Sequence, residues 1–424
     1  MKIAFLLLML SLVIPVYCQK KGNDSLIHKS IKLKTDSLFN QLVKIRRELH
    51  ENPELAGHET NTQKFIQQYL LNIGLEVRTD IYGHGVVGIL KGKEKGKSIA
   101  WRAEMDALQS DFPDDVDFKS KTKGIQHGCG HDVHIAIALG IAEVLAKNKE
   151  TLQGTIYFIF QPEEETFVGA KAMIDNSLFS KIRPDEIYGL HVTALPTGQI
   201  MVKHNEMFAY QRVISVKLKN VLTNLQAREL TKEIHKALSR CRMGSTPWEI
   251  QKITDPTVGL TNLNTIFQDY LIMDDNFNIY TKNDELYLEA NLYETNQANL
   301  KNIIPTIRQL IETTDNKDKL LSISFIQENP TVINDEKLTD AAIKTIRSIY
   351  GNDSIVSDFG QVPFFNDDFA YFQQKIPGVF FFLGGSDFEK GIIAMNHAPS
   401  FKVDEACIGM AVKSFGSLII ERLK

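Results

Sequence analysis

The chain has 424 residues, of which 43% are hydrophobic and 24% are charged, and its formal net charge is -4. This length and composition allow two domains with buried cores and exclude a disordered chain. The small net charge gives no indication of binding to nucleic acid or to an anionic membrane surface, which leaves small-molecule and peptide substrates open.

The N-terminus is predicted to be a signal peptide over residues 1–18. An apolar run over residues 3–16 follows Lys2 and is too short to span a bilayer. Such a signal would direct the protein to the periplasm or the cell exterior and would be removed by cleavage after Cys18. Lipid attachment at Cys18 is the alternative, although the bulky Tyr17 fits a lipidation signal badly. No later apolar run is long enough to cross a membrane.

The cysteines argue against a disulfide framework. Without Cys18 the chain keeps Cys129, Cys241 and Cys407, and an odd number of thiols is unusual for a disulfide-bonded exported protein. Cys241 and Cys407 lie in partly apolar, helical patterns and are predicted to pack in the core. Cys129 lies in a polar segment and is a candidate ligand.

Residues 25–203 are predicted to alternate helices with strands. Apolar spacing indicates helices over residues 38–49, 60–73 and 135–146, and β-rich runs indicate strands over residues 86–90, 98–103, 155–160 and 187–190. This alternation predicts an α/β sheet, which places its chemistry at the carboxyl ends of the strands.

Residues 204–329 are predicted to form a separate, inserted domain. The pattern is strand, helix, strand, strand, helix, strand over residues 213–218, 225–238, 266–273, 285–292, 298–311 and 320–325. This is the order of a ferredoxin-like split βαβ unit. Residues 330–424 then return to the first domain, with a helix at 335–350, a strand at 378–383 and a helix at 404–423.

The segment over residues 126–134 holds a thiol, three imidazoles and a carboxylate, with glycines at positions 128 and 130. Glycine opens backbone conformations that let Cys129 and His131 face one point, and a cation is the obvious occupant. The alternative is a tight polar turn in which the cysteine is a small buried hydrophobe.

Further candidates follow the predicted strands. Glu164 and Glu165 come directly after a buried strand, where two adjacent carboxylates are costly unless a cation or a substrate uses them. His191 ends an apolar strand and His397 lies in a loop after another strand. A hydrogen-bonded core histidine is the alternative for His191.

The chain resembles the amidohydrolase branch of the M20 peptidase family, which includes hippurate hydrolases, N-acyl amino acid amidohydrolases and auxin-conjugate hydrolases. The segments that carry the resemblance are residues 46–55, 102–108, 127–132, 161–165, 189–192, 367–370 and 396–399. The resemblance implies a zinc-peptidase-like α/β domain with a mixed sheet flanked by helices, and an inserted lid through which a homodimer is possible.

The resemblance also implies roles for individual residues. The metal ligands would be Cys129, His131, Glu165, His191 and His397, enough for two divalent ions, with Zn²⁺, Mn²⁺ or Co²⁺ as candidates. Glu164 would be the general base, although the run Glu163–Glu165 leaves this register open. Asp106, Asp132 and His134 would orient the ligands.

These roles predict hydrolysis of N-acyl amino acids or related amides. A divalent ion lowers the pKa of bound water and polarises the carbonyl, while a glutamate passes the water proton to the leaving amine. The alternatives are a dipeptidase, a metal-bearing binding protein with a dead site, and a redox or nucleophilic role for Cys129.

The lid departs from the family pattern. Members usually carry a glycine-rich turn with an oxyanion-stabilising histidine after the first lid strand, whereas residues 217–224 have neither. The usual lid arginine is also absent, with Tyr293 near its place, while Asn278 is expected to keep the family's substrate-contacting asparagine. Loss of one oxyanion donor typically costs about a hundredfold to a thousandfold in rate.

Overall fold

The structure, a computed structural model, describes residues 2–424, with side chains from residue 26 onward. The predicted signal peptide of residues 1–18, including Cys18, lies outside the residues whose side chains are described. Within the described part of the chain, no helix combines the length and the apolar character that crossing a bilayer requires.

The described residues form helices along the whole chain. Their bounds are α1 (Lys2–Glu51), α2 (Thr60–Asn72), α3 (His131–Ala146), α4 (Gly169–Asp175), α5 (Leu178–Lys181), α6 (Asn224–Leu238), α7 (Gln297–Glu312), α8 (Glu336–Tyr350), α9 (Phe369–Gln373) and α10 (Ala406–Leu423).

Strands alternate with these helices. Their bounds are β1 (Glu76–Arg78), β2 (Val86–Lys91), β3 (Glu94–Glu104), β4 (Leu108–Gln109), β5 (Ile125–Gln126), β6 (Gln153–Gln161), β7 (Glu186–Pro196), β8 (Ile200–Val202), β9 (Asn205–Glu206), β10 (Tyr210–Lys219), β11 (Arg240–Cys241), β12 (Tyr270–Met273), β13 (Asn278–Lys282), β14 (Glu285–Glu294), β15 (Leu320–Glu328), β16 (Ile333–Asn334), β17 (Ile355–Ser357) and β18 (Gly378–Ser386).

The larger sheet has eight strands in the order β1-β2-β6-β3-β7-β18-β8-β17. Its central strands β6, β3, β7 and β18 are parallel, and antiparallel pairs lie toward both edges. This confirms the predicted α/β fold with a mixed sheet. Because the central strands run in the same direction, their carboxyl ends meet at one edge, as the site prediction requires.

Helix α3 lies at the centre of the fold. Its residues from His131 to Leu145 are all buried, and it packs with α1 and α10 against the sheet. A helix that is covered all round has no amphipathic stripe, which explains its continuous run of Ile, Ala, Leu and Val. It begins at His131, four residues before the predicted start, so His131 and Asp132 belong to its first turn.

The smaller sheet lies between residues 210 and 328 and has the strand order β11-β12-β14-β10-β15, with β13 also paired to β14. Helices α6 and α7 cover one face, where Ile214, Leu230 and Ile307 belong to one apolar cluster. The predicted order of elements is present, with β11 and β13 in addition. Cys241 lies on β11 and is exposed, so its predicted core position in a helix is wrong, whereas Cys407 is buried in α10.

Asp358 is a buried acid in the loop that follows β17. Asp358 is 4% exposed; its Oδ1 accepts from the amide of Gly360 at 2.7 Å, while its Oδ2 has no hydrogen-bond partner among the described residues. Burial raises the pKa of Asp358 to about 7. The folded state therefore holds a proton there that the unfolded chain releases at lower pH.

We expect Asp358→Asn to change the pH dependence of stability. The pKa of Asp358 is higher in the folded protein than in the unfolded chain. Its contribution to the free energy of unfolding is therefore fully present below the unfolded-state pKa. That contribution is lost as pH rises toward 7, by about 1.4 kcal/mol for each pKa unit between the two states. The variant should therefore gain stability relative to wild type between pH 5 and 8, measured by urea unfolding. Asp353→Asn, at an exposed position, is the control, and parallel curves for Asp358→Asn and wild type would contradict the expectation.

Candidate active site

The carboxyl ends of the central strands bring the predicted site residues to one place. Glu164 and Glu165 follow β6, His191 lies on β7, and His397 lies in the loop after β18. Strand β7 continues to Pro196, so His191 is within the strand and not at its end as predicted. Its side chain still faces the loops at this edge of the sheet.

Cys129 is positioned by the turn that begins α3. Gly130 has φ +92°, and a Cβ there would lie 2.4 Å from Cγ1 of Val192, so only glycine fits. The turn leaves the Cys129 side chain 7% exposed, at the floor of a cleft. This is the role that the sequence suggested for the glycine at position 130.

The Cys129 thiol is the centre of a cluster of donors. Its Sγ lies 3.0 Å from Nε2 of His397 and 3.3 Å from Nε2 of His191. Oε1 of Glu165 lies 3.3 Å from the same nitrogen of His397. Thiolate, imidazole and carboxylate are the donors that zinc takes in proteins.

His131 completes the cluster. Its Nδ1 donates to the backbone carbonyl of Asp106 at 2.8 Å, and its Nε2 faces Glu164 and Glu165, 3.8 and 3.9 Å away. Nε2 of His131 is buried without a hydrogen-bond partner among the described residues. A buried polar atom without a partner is costly unless a ligand uses it, and a bound cation would use this nitrogen.

The tautomer of His191 is fixed in the same way. Its Nδ1 donates to the carbonyl of Val192 at 2.8 Å, so that Nε2 is free to act as a ligand. His134 differs, because its Nε2 accepts from the amide of Val192 and its Nδ1 donates to Glu104 at 2.9 Å. His134 therefore holds β7 in place and has no free nitrogen for a metal.

Two carboxylates predicted to orient ligands make different contacts. Asp106 accepts from the amide of Glu165 at 2.9 Å, which fixes the loop that carries both glutamates. Asp132 accepts from Arg46 at 2.9 Å and from Nδ1 of His50 at 2.8 Å. Asp132 thus anchors the first turn of α3, one residue from His131, and touches no predicted ligand.

The side chains of the three consecutive glutamates, residues 163–165, point in two directions. Glu164 and Glu165 line the cleft. Glu163 has φ +56°, and its carboxylate accepts from the hydroxyl of Tyr82 at 3.0 Å, outside the cleft. The positive φ turns the first glutamate away from the cleft, so the two glutamates that remain available to it are Glu164 and Glu165.

The electrostatics of the site favour a bound positive charge. Burial, with Asp367 and Glu165 nearby, raises the pKa of Glu164 well above its usual range. Burial would lower the pKa of His131, but Asp106 and Glu104 raise it to about 10. Burial beside Glu165 and Glu164 raises the pKa of the Cys129 thiol, so a thiolate forms here when a cation accompanies it.

A buried ionic cluster lies beneath the glutamate loop and was not among the predicted site residues. Arg102 is fully buried and pairs with Glu104, with Asp367 at 3.0 Å and with Asp368 at 2.9 Å. Glu164 lies near both aspartates. Asp367 and Asp368 are adjacent acids in an apolar context, so the argument that singled out the glutamate pair could have found them.

The cleft above the cluster has a volume of about 510 Å³. Besides the site residues, its walls consist mainly of aromatic rings and side-chain amides: Phe167, Phe208, Phe364, Phe365, Phe382, Gln211, Gln327, Asn329 and Asn366. Asn278, predicted to contact substrate, is exposed at the start of β13 and is not among the residues that line the cleft. The structure therefore brings other lid amides to the site.

A bound metal should protect Cys129 from alkylation. With metal present, iodoacetamide should modify the exposed Cys241 first and leave Cys129 unmodified. After chelation, Cys129 should react at least about tenfold faster because its sulfur lines the open cleft. Peptide mapping by mass spectrometry gives each rate, and Cys241→Ser removes the background. Equal labelling of Cys129 with and without metal would favour the free-thiol alternative.

Comparison with known proteins places the chain among related hydrolases. A family model described as "Peptidase family M20/M25/M40" matches residues 100–421. The chain is 31% identical over 400 residues to thermostable carboxypeptidase 2 of Saccharolobus solfataricus, covering 92% of this chain and 98% of the relative. It is 30% identical to the N-acetyl-L-cysteine deacetylase of Bacillus subtilis, covering 92% and 90%.

A solved structure shows the same likeness. The YXEP protein of Bacillus subtilis, described as a dinuclear metal binding peptidase from the M20 family, superposes with a TM-score of 0.73 at 26% identity. The match covers 92% of this chain and 99% of that one. The likeness therefore extends over both sheets.

Proposed function

The chain belongs to peptidase family M20/M25/M40 and is a metal-dependent hydrolase, and from this premise we propose that it cleaves the amide bond of N-acyl amino acids or related amides. The observation that carries the proposal is the cluster around Cys129, with Glu164 beside it at the floor of an open cleft. A reactive carboxylate next to a cation site is the arrangement that amide hydrolysis needs.

The proposed ligands are the donors of the cluster, and they suffice for two divalent ions that share one ligand. They are Cys129, His131, Glu165, His191 and His397. When bound, a divalent ion supplies Lewis acidity, which acidifies water and polarises the scissile carbonyl. Zn²⁺, Mn²⁺ and Co²⁺ all suit a set of thiolate, imidazole and carboxylate.

Glu164 is the proposed general base. Its side chain is 9% exposed and lies 3.8 Å from His131, so it borders the place where the reacting carbonyl must sit. Burial raises its pKa, which suits a group that takes a proton from water and then gives it to the leaving amine. Asp106 supports this role because it holds the amide of Glu165, the next residue.

The lid offers amides to the cleft in place of the family's histidine. Of the lid histidines, His235 lines a different cavity and His204 pairs with Asp340 at 2.8 Å. Gln211 and Asn329 line the cleft and can donate to an oxyanion. A catalytically impaired, metal-bearing binding protein is the alternative that this altered lid favours.

Peptide hydrolysis is the second candidate, because the carboxypeptidase of S. solfataricus is 31% identical. Purified protein with added Zn²⁺ or Mn²⁺ should be assayed for amine release from N-acyl amino acids and from free dipeptides. Faster release from the acylated compounds supports the proposal, and faster release from dipeptides supports the peptidase. No turnover on either panel, with metal bound, would leave the binding protein.

We also propose export, on the support of the apolar run over residues 3–16. N-terminal sequencing of the protein from fractionated cells tests this. A mature chain that begins at Gln19 in the periplasmic or secreted fraction is the expected result, and an intact N-terminus in the cytosolic fraction would contradict it. A homodimer through the lid stays a prediction.

A further inference from the structure

The described side chains that line the cleft include carboxylates but no lysine or arginine, which does not suit substrates with a free carboxylate. We infer that it selects neutral acylated amines, such as N-acyl amino acid amides, over N-acyl amino acids with a free carboxylate. The inference rests on the proposed amide hydrolysis and concerns the part of the substrate that leaves as the amine.

The first support is the lining of the cleft. Among the described residues that form its walls, the acidic side chains are Glu164, Glu165 and Asp367, and none is lysine or arginine. A substrate carboxylate that enters such a cleft loses water and meets no side-chain cation. Burying an unpaired carboxylate is costly, so the free acid is disfavoured relative to its amide.

The second support is that the neighbouring cations are already engaged. Arg212 follows a cleft residue on β10, but its Nη1 donates to the carbonyls of Gln211 and Asn329, both at 2.7 Å. Its Nε makes no hydrogen bond among the described residues and lies 3.4 Å from the carboxylate of Glu328. Lys252 lies two residues from a cleft residue, and its Nζ contacts the carboxylate of Glu249 at 2.7 Å. Both have partners where they stand.

Arg102 is another cation close to the site, and it is unavailable as well. It is fully buried beneath the glutamate loop, and Glu104, Asp367 and Asp368 surround its guanidinium. A bidentate contact with a substrate carboxylate would require it to leave this cluster, which would leave several buried acids without a partner.

The third support is a group of side chains that would bind a neutral substrate favourably. Gln211, Gln327 and Asn329 bring side-chain amides to the lid side of the cleft. An amide group both donates and accepts, so it pairs with a carboxamide in either orientation, whereas a carboxylate only accepts. Phe208 and Phe364 add apolar walls. The lid therefore complements a polar, uncharged group flanked by hydrophobic atoms.

A matched pair of substrates tests the inference. N-benzoylglycine and N-benzoylglycine amide differ only in the terminal group, a carboxylate in the first and a neutral carboxamide in the second, and release of benzoate reports cleavage of the same bond in both. With metal-loaded full-length protein, kcat/KM for the amide should exceed that for the acid by at least about tenfold. Equal values, or a preference for the acid, would overturn the inference and leave amide hydrolysis itself standing.

A substitution in the cleft tests whether the lack of a cation causes the preference for the amide. Gln327 is exposed at the edge of the cleft, so Gln327→Arg adds a cation without disturbing the core. It should shift the ratio of kcat/KM between acid and amide toward the acid by about tenfold. Gln309→Arg adds the same charge at an exposed position of α7 and should leave the ratio unchanged. An unchanged ratio in Gln327→Arg would overturn the inference.

If neither compound is cleaved, the proposed function fails and binding decides the inference separately. Calorimetry with metal-loaded Glu164→Gln protein measures the affinity for each compound without turnover. Tighter binding of the amide supports selection of neutral ligands by this cleft. Equal or tighter binding of the acid overturns it.

Discussion

Glu164→Gln should lower kcat by two to four orders of magnitude, the range expected when a general base is removed. Glutamine keeps the shape of the side chain but cannot take a proton from water at neutral pH. The carboxylate is not a proposed ligand, so metal content should stay at the wild-type level. Steady-state kinetics at saturating Zn²⁺ or Mn²⁺, with metal analysis of the same samples, measures both quantities.

Glu163→Gln is the matched control, because it makes the same chemical change one residue away. The Glu163 carboxylate bonds to Tyr82 outside the cleft, and glutamine can still accept that hydrogen bond. Activity should stay within about threefold of wild type, as for a position that carries no proton in the reaction. A large loss in Glu163→Gln together with an active Glu164→Gln would move the base to the other register.

Much of the fold could be predicted because the core elements have clear periodicity. Strand β6 is a continuous apolar run that was predicted at residues 155–160 and extends one or two residues further at each end. The start of α3 was placed too late, because polar residues normally indicate a loop. Here His131 and Asp132 are buried within the helix by Asp106 and Arg46, a tertiary effect that periodicity does not contain.

The smaller sheet was harder to predict. Its short strand β11 follows α6 directly, and Cys241 therefore continued a helical pattern in sequence although it lies exposed on a strand. Strand β13, with its mixture of Asn, Tyr, Thr and Lys, has no alternation of apolar residues. Edge strands with one solvated face carry a weak sequence signal.

The chemistry of the site was easier to predict than its walls. Thiol, imidazole and adjacent carboxylates are rare combinations, and the parallel strands bring them together at one edge. The cleft is lined by residues distant in sequence, such as Phe167, Gln211 and Asn329. Each is ordinary in its local context, because only the packing of the two sheets gives it a role. Asn278 was expected in the cleft from the resemblance, and the structure leaves it on an exposed strand.

The buried ionic cluster should make Arg102 one of the most important residues for stability. Arg102→Met keeps most of the volume of the side chain but removes the charge that Glu104, Asp367 and Asp368 share. Removing one partner from a buried ion pair typically costs about 3–5 kcal/mol, because the remaining charge is left without compensation. Urea unfolding of the chelated protein, followed by circular dichroism, measures the change in the free energy of unfolding.

The companion change Glu104→Gln tests whether uncompensated charge is the cause. Although burial opposes ionisation of Glu104, Arg102 and His134 lower its pKa well below the usual value, so Glu104 is charged in the wild type and Arg102→Met removes the main partner of that charge. In the double variant that acid is neutral, and its amide oxygen can still accept from His134. The double variant should therefore be more stable than Arg102→Met alone, with a coupling energy of about 0.5–3 kcal/mol.

An exposed arginine provides the control, because its replacement removes an ion pair without leaving a buried charge. Arg78 contacts Glu76 at 3.1 Å with a side chain that is 38% exposed, so Arg78→Met should change stability by less than about 1 kcal/mol. If Arg102→Met were no more destabilising than Arg78→Met, the acids around Arg102 would have to be neutral in the folded protein. The cluster would then hold protonated acids beneath the glutamate loop, and additive effects of Arg102→Met and Glu104→Gln on the free energy of unfolding would show it.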